Sequence, residues 1–273
     1  MATPCPQNRS SMFGSFKSAK STFKNAISTL TLNLFSPKMS SDESPILPAH
    51  QMHIQSYITT LEALNNAKGT DELAKWKVEN ASHFKSKKKV SQHEYVRTTV
   101  RSPRGETAFL AFERLGGEHT SISGASPDTS PPPLNRSSSS VSSSLGNFLA
   151  QDTVTPLKDA HGKWHKDDIL VGTLIFSEKE PPLHEVALLA GTIHDAGTSY
   201  LLFSNNCYHY SGTMMCTLHA KYSPIQEIPE DANAGSWCGI ELDMPSTNKL
   251  SQLLTSLEER AEKFVSLFSM SSK

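Results

Sequence analysis

His93-Glu-Tyr-Val-Arg-Thr-Thr-Val100 and Thr107-Ala-Phe-Leu-Ala-Phe-Glu-Arg114 are separated by Arg101-Ser-Pro-Arg-Gly-Glu106. β-Branched and aromatic residues dominate both flanks, and Pro103 and Gly105 between them suit a tight reversal. The pattern predicts a β-hairpin. With a side-chain period of two, His93, Tyr95, Arg97 and Thr99 share one face, with Val96 and Val100 on the other.

Working outward toward the C-terminus, Asp168-Ile-Leu-Val-Gly-Thr-Leu-Ile-Phe176 is a nearly continuous apolar run, as expected of a buried strand. Pro181-Pro182 opens a predicted helix through His194, and Gly197 closes it. A second helix is expected from Asn206 to about His219. Ser246 caps a third, long and amphipathic, with Leu250, Leu253, Leu254, Leu257, Ala261, Phe264, Val265 and Phe268 directed inward. Toward the N-terminus, Ile54, Ile58, Leu61 and Leu64 mark a helix over about 49–68 that Gly69 stops, with Thr70 capping a second, short helix through Trp76 and Val78. The basic run Lys85-Ser-Lys-Lys-Lys89 reads as a solvated connector. Together these segments predict an α+β domain: a small antiparallel sheet packed by three or more helices.

Two tracts lack the composition of a core. Residues 1–47 are rich in Ser, Thr and Lys, and their first acid is Asp42. Within them Phe13, Phe16, Phe23, Ile27, Leu30 and Leu34 recur at helical steps. This is either a disordered tail or an amphipathic segment giving peripheral membrane contact through residues 13–35. Residues 116–163 contain Ser130-Pro-Pro-Pro133 and the serine tract around Val141, and are expected to form a disordered insertion between the two halves of the domain, 48–115 and 164–270. Hydrophobic residues make up 37% of the chain, which fits one modest domain and not two.

The formal net charge of −1 gives no global reason to expect nucleic acid. The four cysteines, Cys5, Cys207, Cys216 and Cys238, show no zinc or CxxC spacing, and no glycine-rich phosphate loop is present, so no metal or other cofactor is expected. No secretory signal is visible, and free thiols point to a reducing, cytoplasmic setting.

Chemistry concentrates in Tyr200-Leu-Leu-Phe-Ser-Asn-Asn-Cys207-Tyr-His-Tyr210. A cysteine opening a helix sits among unsatisfied backbone N–H groups at the positive end of the dipole, and both favour the thiolate. The Asn-Cys-Tyr-His-Tyr box resembles the Asn-Cys-Glu-His-Phe box of the circularly permuted papain-like families, the lecithin–retinol acyltransferase and NlpC/P60 relatives. It is also similar to fungal proteins with an Asn-Cys-Tyr-aromatic box behind a Ser/Pro-rich insertion. The papain-like resemblance implies a thiol hydrolase or acyltransferase acting on an acyl or amide substrate. It places a histidine base upstream, on the first strand of a small antiparallel sheet. On that basis Cys207 is the nucleophile, His93 the general base and Glu113 the orienting acid, with Arg114 competing for Glu113. Tyr208 stands where those families carry an acid. A second reading stays open: Cys207 is a small core residue, and the domain is a noncatalytic interaction module that recruits a protein partner.

Overall fold

The computed structural model describes residues 46–86, 93–116, 148–160, 168–200, 206–229, 236–237, 240–241 and 245–271. In chain order the elements are β1 (Met52–His53), α1 (Ile54–Lys68), α2 (Thr70–Ala74), β2 (Lys77–Lys85), β3 (Glu94–Arg101), β4 (Thr107–Gly116), β5 (Phe148–Leu157), β6 (Ile169–Ile175), α3 (Leu183–Asp195), β7 (Ser199–Tyr200), α4 (Cys207–Tyr222), β8 (Ile225–Glu227), β9 (Ser236–Trp237), β10 (Ile240–Glu241) and α5 (Thr247–Ser271). The amphipathic stretch over residues 13–35, with Cys5 and Cys238, lies outside the described residues.

The α+β architecture holds. The sheet runs β1-β5-β4-β3-β2-β6-β8, every pairing is antiparallel, and β7 joins the far end of β5. The expected hairpin is β3–β4, with Val100 opposite Ala108 and Tyr95 opposite Glu113. Its turn needs Gly105, whose φ of 83° lies in the left-handed region. The Ser102 hydroxyl accepts from the backbone N–H of Arg104 and Glu106 and fixes the reversal.

Two strands correct the sequence reading. β2, which takes in Lys85 of the expected connector, is central, between β3 and β6. β5 occupies 148–157, inside the tract expected to be a disordered insertion, and pairs along its length with β4. Neither shows apolar alternation, because their buried positions carry Ser82, His83, Lys85, Asp152 and Thr153, whose partners lie on neighbouring strands.

All the longer helices pack on one face of the sheet. Val78, Ala81, Val96, Val100, Leu110, Phe112 and Val154 from that face join Ile54, Tyr57, Leu61, Leu183, Val186, Tyr210, Met214 and Leu257 in one core. Residues one step along each strand point the other way. Phe84 stacks on Tyr95 at 5.5 Å, Ala111 completes that smaller cluster, and Arg97 lies over the Phe84 ring at 4.8 Å. α5 buries Leu250, Leu253, Leu257 and Phe264 as its periodicity predicts, but Val265 is half exposed. Among the described residues no helix is long and apolar enough to cross a membrane.

Candidate functional site

α4 starts where the sequence places it. Asn206 is its N-cap: extended backbone brings the side-chain Oδ1 to accept from the His209 N–H at 3.1 Å, so Cys207 is the first helical residue. Cys207 is buried at 4% exposure. The helix crosses the sheet over β2, β3 and β4.

Strand register shows what lies beneath its first turn. Lys85 stands opposite Glu94, and Arg114 opposite Asp152. One step on from the Tyr95–Glu113 pair, Glu94 stands opposite Arg114. Lys85, Glu94, Arg114 and Asp152 therefore form a row across the helix-covered face, alternating in sign and fully or almost fully buried. Arg114 clasps Asp152 with Nε at 2.7 Å and Nη2 at 2.6 Å, and His194 Nδ1 reaches the same carboxylate at 2.9 Å. Glu94 Oε2 lies 2.7 Å from His83 Nε2, and Oε1 lies 3.9 Å from Lys85 Nζ. The His83–Glu94 contact is short but off the line of a hydrogen bond.

The two tyrosines flanking this turn straddle the row. Lys85 Nζ sits 5.6 Å from the Tyr208 ring centre, and the Arg114 guanidinium 5.1 Å from that of Tyr210. Cys207 and Ser211 share the helix face between those tyrosines, and both are buried. Ser211 Oγ and Tyr210 OH, both buried, have no hydrogen-bond partner among the described residues. Burial and Asp152 push the Tyr210 phenol well above its ordinary range against the pull of Arg114, so it stays protonated.

The structure joins two of the three residues expected from sequence and separates the third. His93 Nε2 is 3.0 Å from Glu113 Oε2, and Glu113 also accepts from Thr153 Oγ1 at 3.3 Å. Arg114 does not compete for Glu113, since it turns to the other face and pairs with Asp152. By the same alternation His93 and Glu113 share the Tyr95 face, and the sheet stands between them and Cys207. On the helix-covered face of the sheet β2 carries His83, 2.7 Å from Glu94 on β3. The sequence does not reveal the pair, because Val78 reads as the end of a short helix, 79–84 carries no strand pattern, and the run from Lys85 reads as a connector.

The other histidines have separate surroundings. His184 is stacked on Phe264 at 5.3 Å, and burial lowers its pKa. His209 projects away from the sheet toward α5, where its Nε2 meets Lys249 Nζ at 3.0 Å. Among the described residues no cluster of three or more His, Cys, Asp or Glu is arranged to hold a metal ion. No protein-family model, curated protein or solved structure matches the chain.

Proposed function

We propose that the protein is a thiol-dependent hydrolase or acyltransferase in which Cys207 is the nucleophile, His83 its base and Glu94 the acid that orients His83. One observation carries this reading: the buried His83–Glu94 contact of 2.7 Å lies on the sheet face that the Cys207 helix covers. Acyl transfer through a thiol needs these three parts, namely a nucleophile at a helix N-terminus, an imidazole to take its proton and a carboxylate to hold the imidazolium. The resemblance in the Asn-Cys box likewise implies a histidine base on the sheet upstream of Cys207, although it points to His93 and not to β2. With Nε2 turned to Glu94, Nδ1 is the nitrogen left for the thiol. In the reaction the Cys207 sulfur attacks an acyl carbon, His83 carries the thiol proton to the leaving group, and water or a second acceptor releases the acyl chain. The first N–H groups of α4, those of Cys207 and Tyr208, are the donors this reading assigns to the oxyanion, since those of His209 and Tyr210 are taken by Asn206.

The test is the iodoacetamide labelling rate of Cys207 against pH in protein with Cys5, Cys216 and Cys238 changed to Ser. A labelling midpoint below the ordinary thiol value of about 8.5, raised by His83→Ala and by Glu94→Gln but unmoved by His93→Ala, supports the assignment. Labelling that begins only when the protein unfolds makes Cys207 a core residue and leaves the interaction-module reading.

A further inference from the structure

We propose that the sheet face turned away from the helices binds a carboxylate bearing a flat apolar group, its head on Arg97 and its apolar part on Phe109 and Leu157. The site lies across the sheet from Cys207 and stands independently of the thiol reading.

Strand register puts Arg97 at the centre of a row on this face. Thr173 of β6 stands opposite Ser82 of β2, Ser82 opposite Arg97 of β3, Arg97 opposite Ala111 of β4, and Ala111 opposite Thr155 of β5. A cation is thus set among hydroxyl side chains. Rings from both neighbouring strands approach it, with the guanidinium carbon 4.8 Å from the centre of Phe84 and 5.9 Å from that of Phe109.

The guanidinium lacks an anion. Nη2 reaches the Ser82 hydroxyl only at 3.5 Å, and the buried Nε has no hydrogen-bond partner among the described residues. Arg101, Arg114 and Arg260 each hold a carboxylate, whereas no described carboxylate lies within ion-pair distance of Arg97. Burial lowers its pKa against the longer-range pull of Tyr95 and the exposed Asp159, yet an arginine keeps its charge in such a setting. A planar fork of donors with no acid on it fits a carboxylate, which can accept two parallel hydrogen bonds.

The surroundings fix where the rest of the ligand lies. On one side of the row Tyr95 and Glu113 are fully buried, and Glu113 is held by His93 and Thr153. On the other side Phe109 stands opposite Leu157, and both are partly exposed, as are Arg97, Thr155 and Thr173. A solute therefore reaches the guanidinium from the Phe109 side, where an aryl or alkyl group meets apolar surface.

The test is protection of the native full-length protein from phenylglyoxal, which modifies arginine, followed by digestion and mass spectrometry. Hydrocinnamate is the probe, hydrocinnamyl alcohol its uncharged counterpart, inorganic phosphate a plain anion, and exposed Arg104 the internal reference. Calorimetry gives the dissociation constant of hydrocinnamate, and Arg97→Gln is expected to abolish its binding heat. At ten times that constant, modification of Arg97 is expected to slow about tenfold by mass action, with Arg104 unaffected. The alcohol should leave the rate unchanged, and phosphate should protect less. An Arg97 rate indifferent to hydrocinnamate overturns the proposal. So does equal protection by the alcohol, which would mean an apolar surface, or by phosphate, which would mean an anion site with no apolar half. An Arg97 that stays unmodified until the protein unfolds overturns it too, because no solute then reaches it.

Discussion

Asp152 shows how much depends on a single buried carboxylate. It neutralises Arg114 through two fully buried hydrogen bonds and takes a third contact from the partly buried His194. Asp152→Asn leaves the Arg114 charge buried and underpaired, and a cost of about 3–5 kcal/mol is expected in urea unfolding. Replacing both partners with apolar residues of similar volume, Arg114→Met with Asp152→Leu, is expected to cost less than the single change, because no orphan charge remains. Such pairings are poorly legible in a sequence. Arg114 is adjacent to Glu113, yet its partner lies 38 positions away on another strand. The His93–Glu113 contact was legible, since both residues fall on one side of a recognisable hairpin. Which side the helices cover was not legible, because alternation defines two faces without saying which one is packed.

At the scale of elements, α4 depends on its cap. Asn206→Ala removes the acceptor for the His209 N–H and is expected to lower stability by about 1 kcal/mol, measurable as a shift in the denaturant midpoint at unchanged slope. Asn206→Asp retains an acceptor and is expected to be close to neutral. α3, α4 and α5 are legible almost to their ends, from proline at the start of α3, the Asn-Cys junction of α4 and the leucine spacing of α5. By contrast α1 starts five residues after the expected Ala49, and the helix expected through Val78 stops at Ala74, Val78 belonging to β2. Strands were read only where their own side chains were apolar or alternating, as in β3, β4 and β6. β2 and β5 are made of residues that suit a strand only once their neighbours are present. His83 needs Glu94 from β3, and Asp152 needs Arg114 from β4. The half of the candidate site carried on β2 stayed hidden for the same reason.

For the molecule as a whole, acid is the expected weakness. His53, His184 and His209 all have pKa values held below the ordinary imidazole value of 6.5, burial being the leading cause in each. A histidine depressed in the folded state binds protons more readily when unfolded. Its stabilising contribution is therefore complete above 6.5 and is lost as pH falls, for His209 down to about 4. Glu185 acts in the same direction. Burial pushes its carboxyl up, but the Tyr222 hydroxyl and Lys221 outweigh this and leave it depressed. The denaturant midpoint should decline steadily below pH 6.5, and His209→Gln should make the decline shallower. An equally steep acid limb in that variant would show that His209 contributes nothing to it.

β4 and β5 remain in register to Gly116 and Ala150, directly across the ladder from each other, although the chain between them spans 117–147. The sheet therefore receives and releases that segment at one point, as a hairpin does with its turn. Because closing a loop costs only about 0.6 kcal/mol more for each doubling of its length, the sheet is almost indifferent to how many residues are threaded through this junction. A four-residue turn in place of 117–147, about three halvings of its length, should stabilise the fold by roughly 1.8 kcal/mol and raise the melting temperature by several degrees. In mechanical terms the junction is a port: cargo of very different lengths can be spliced in there for a small and slowly growing load.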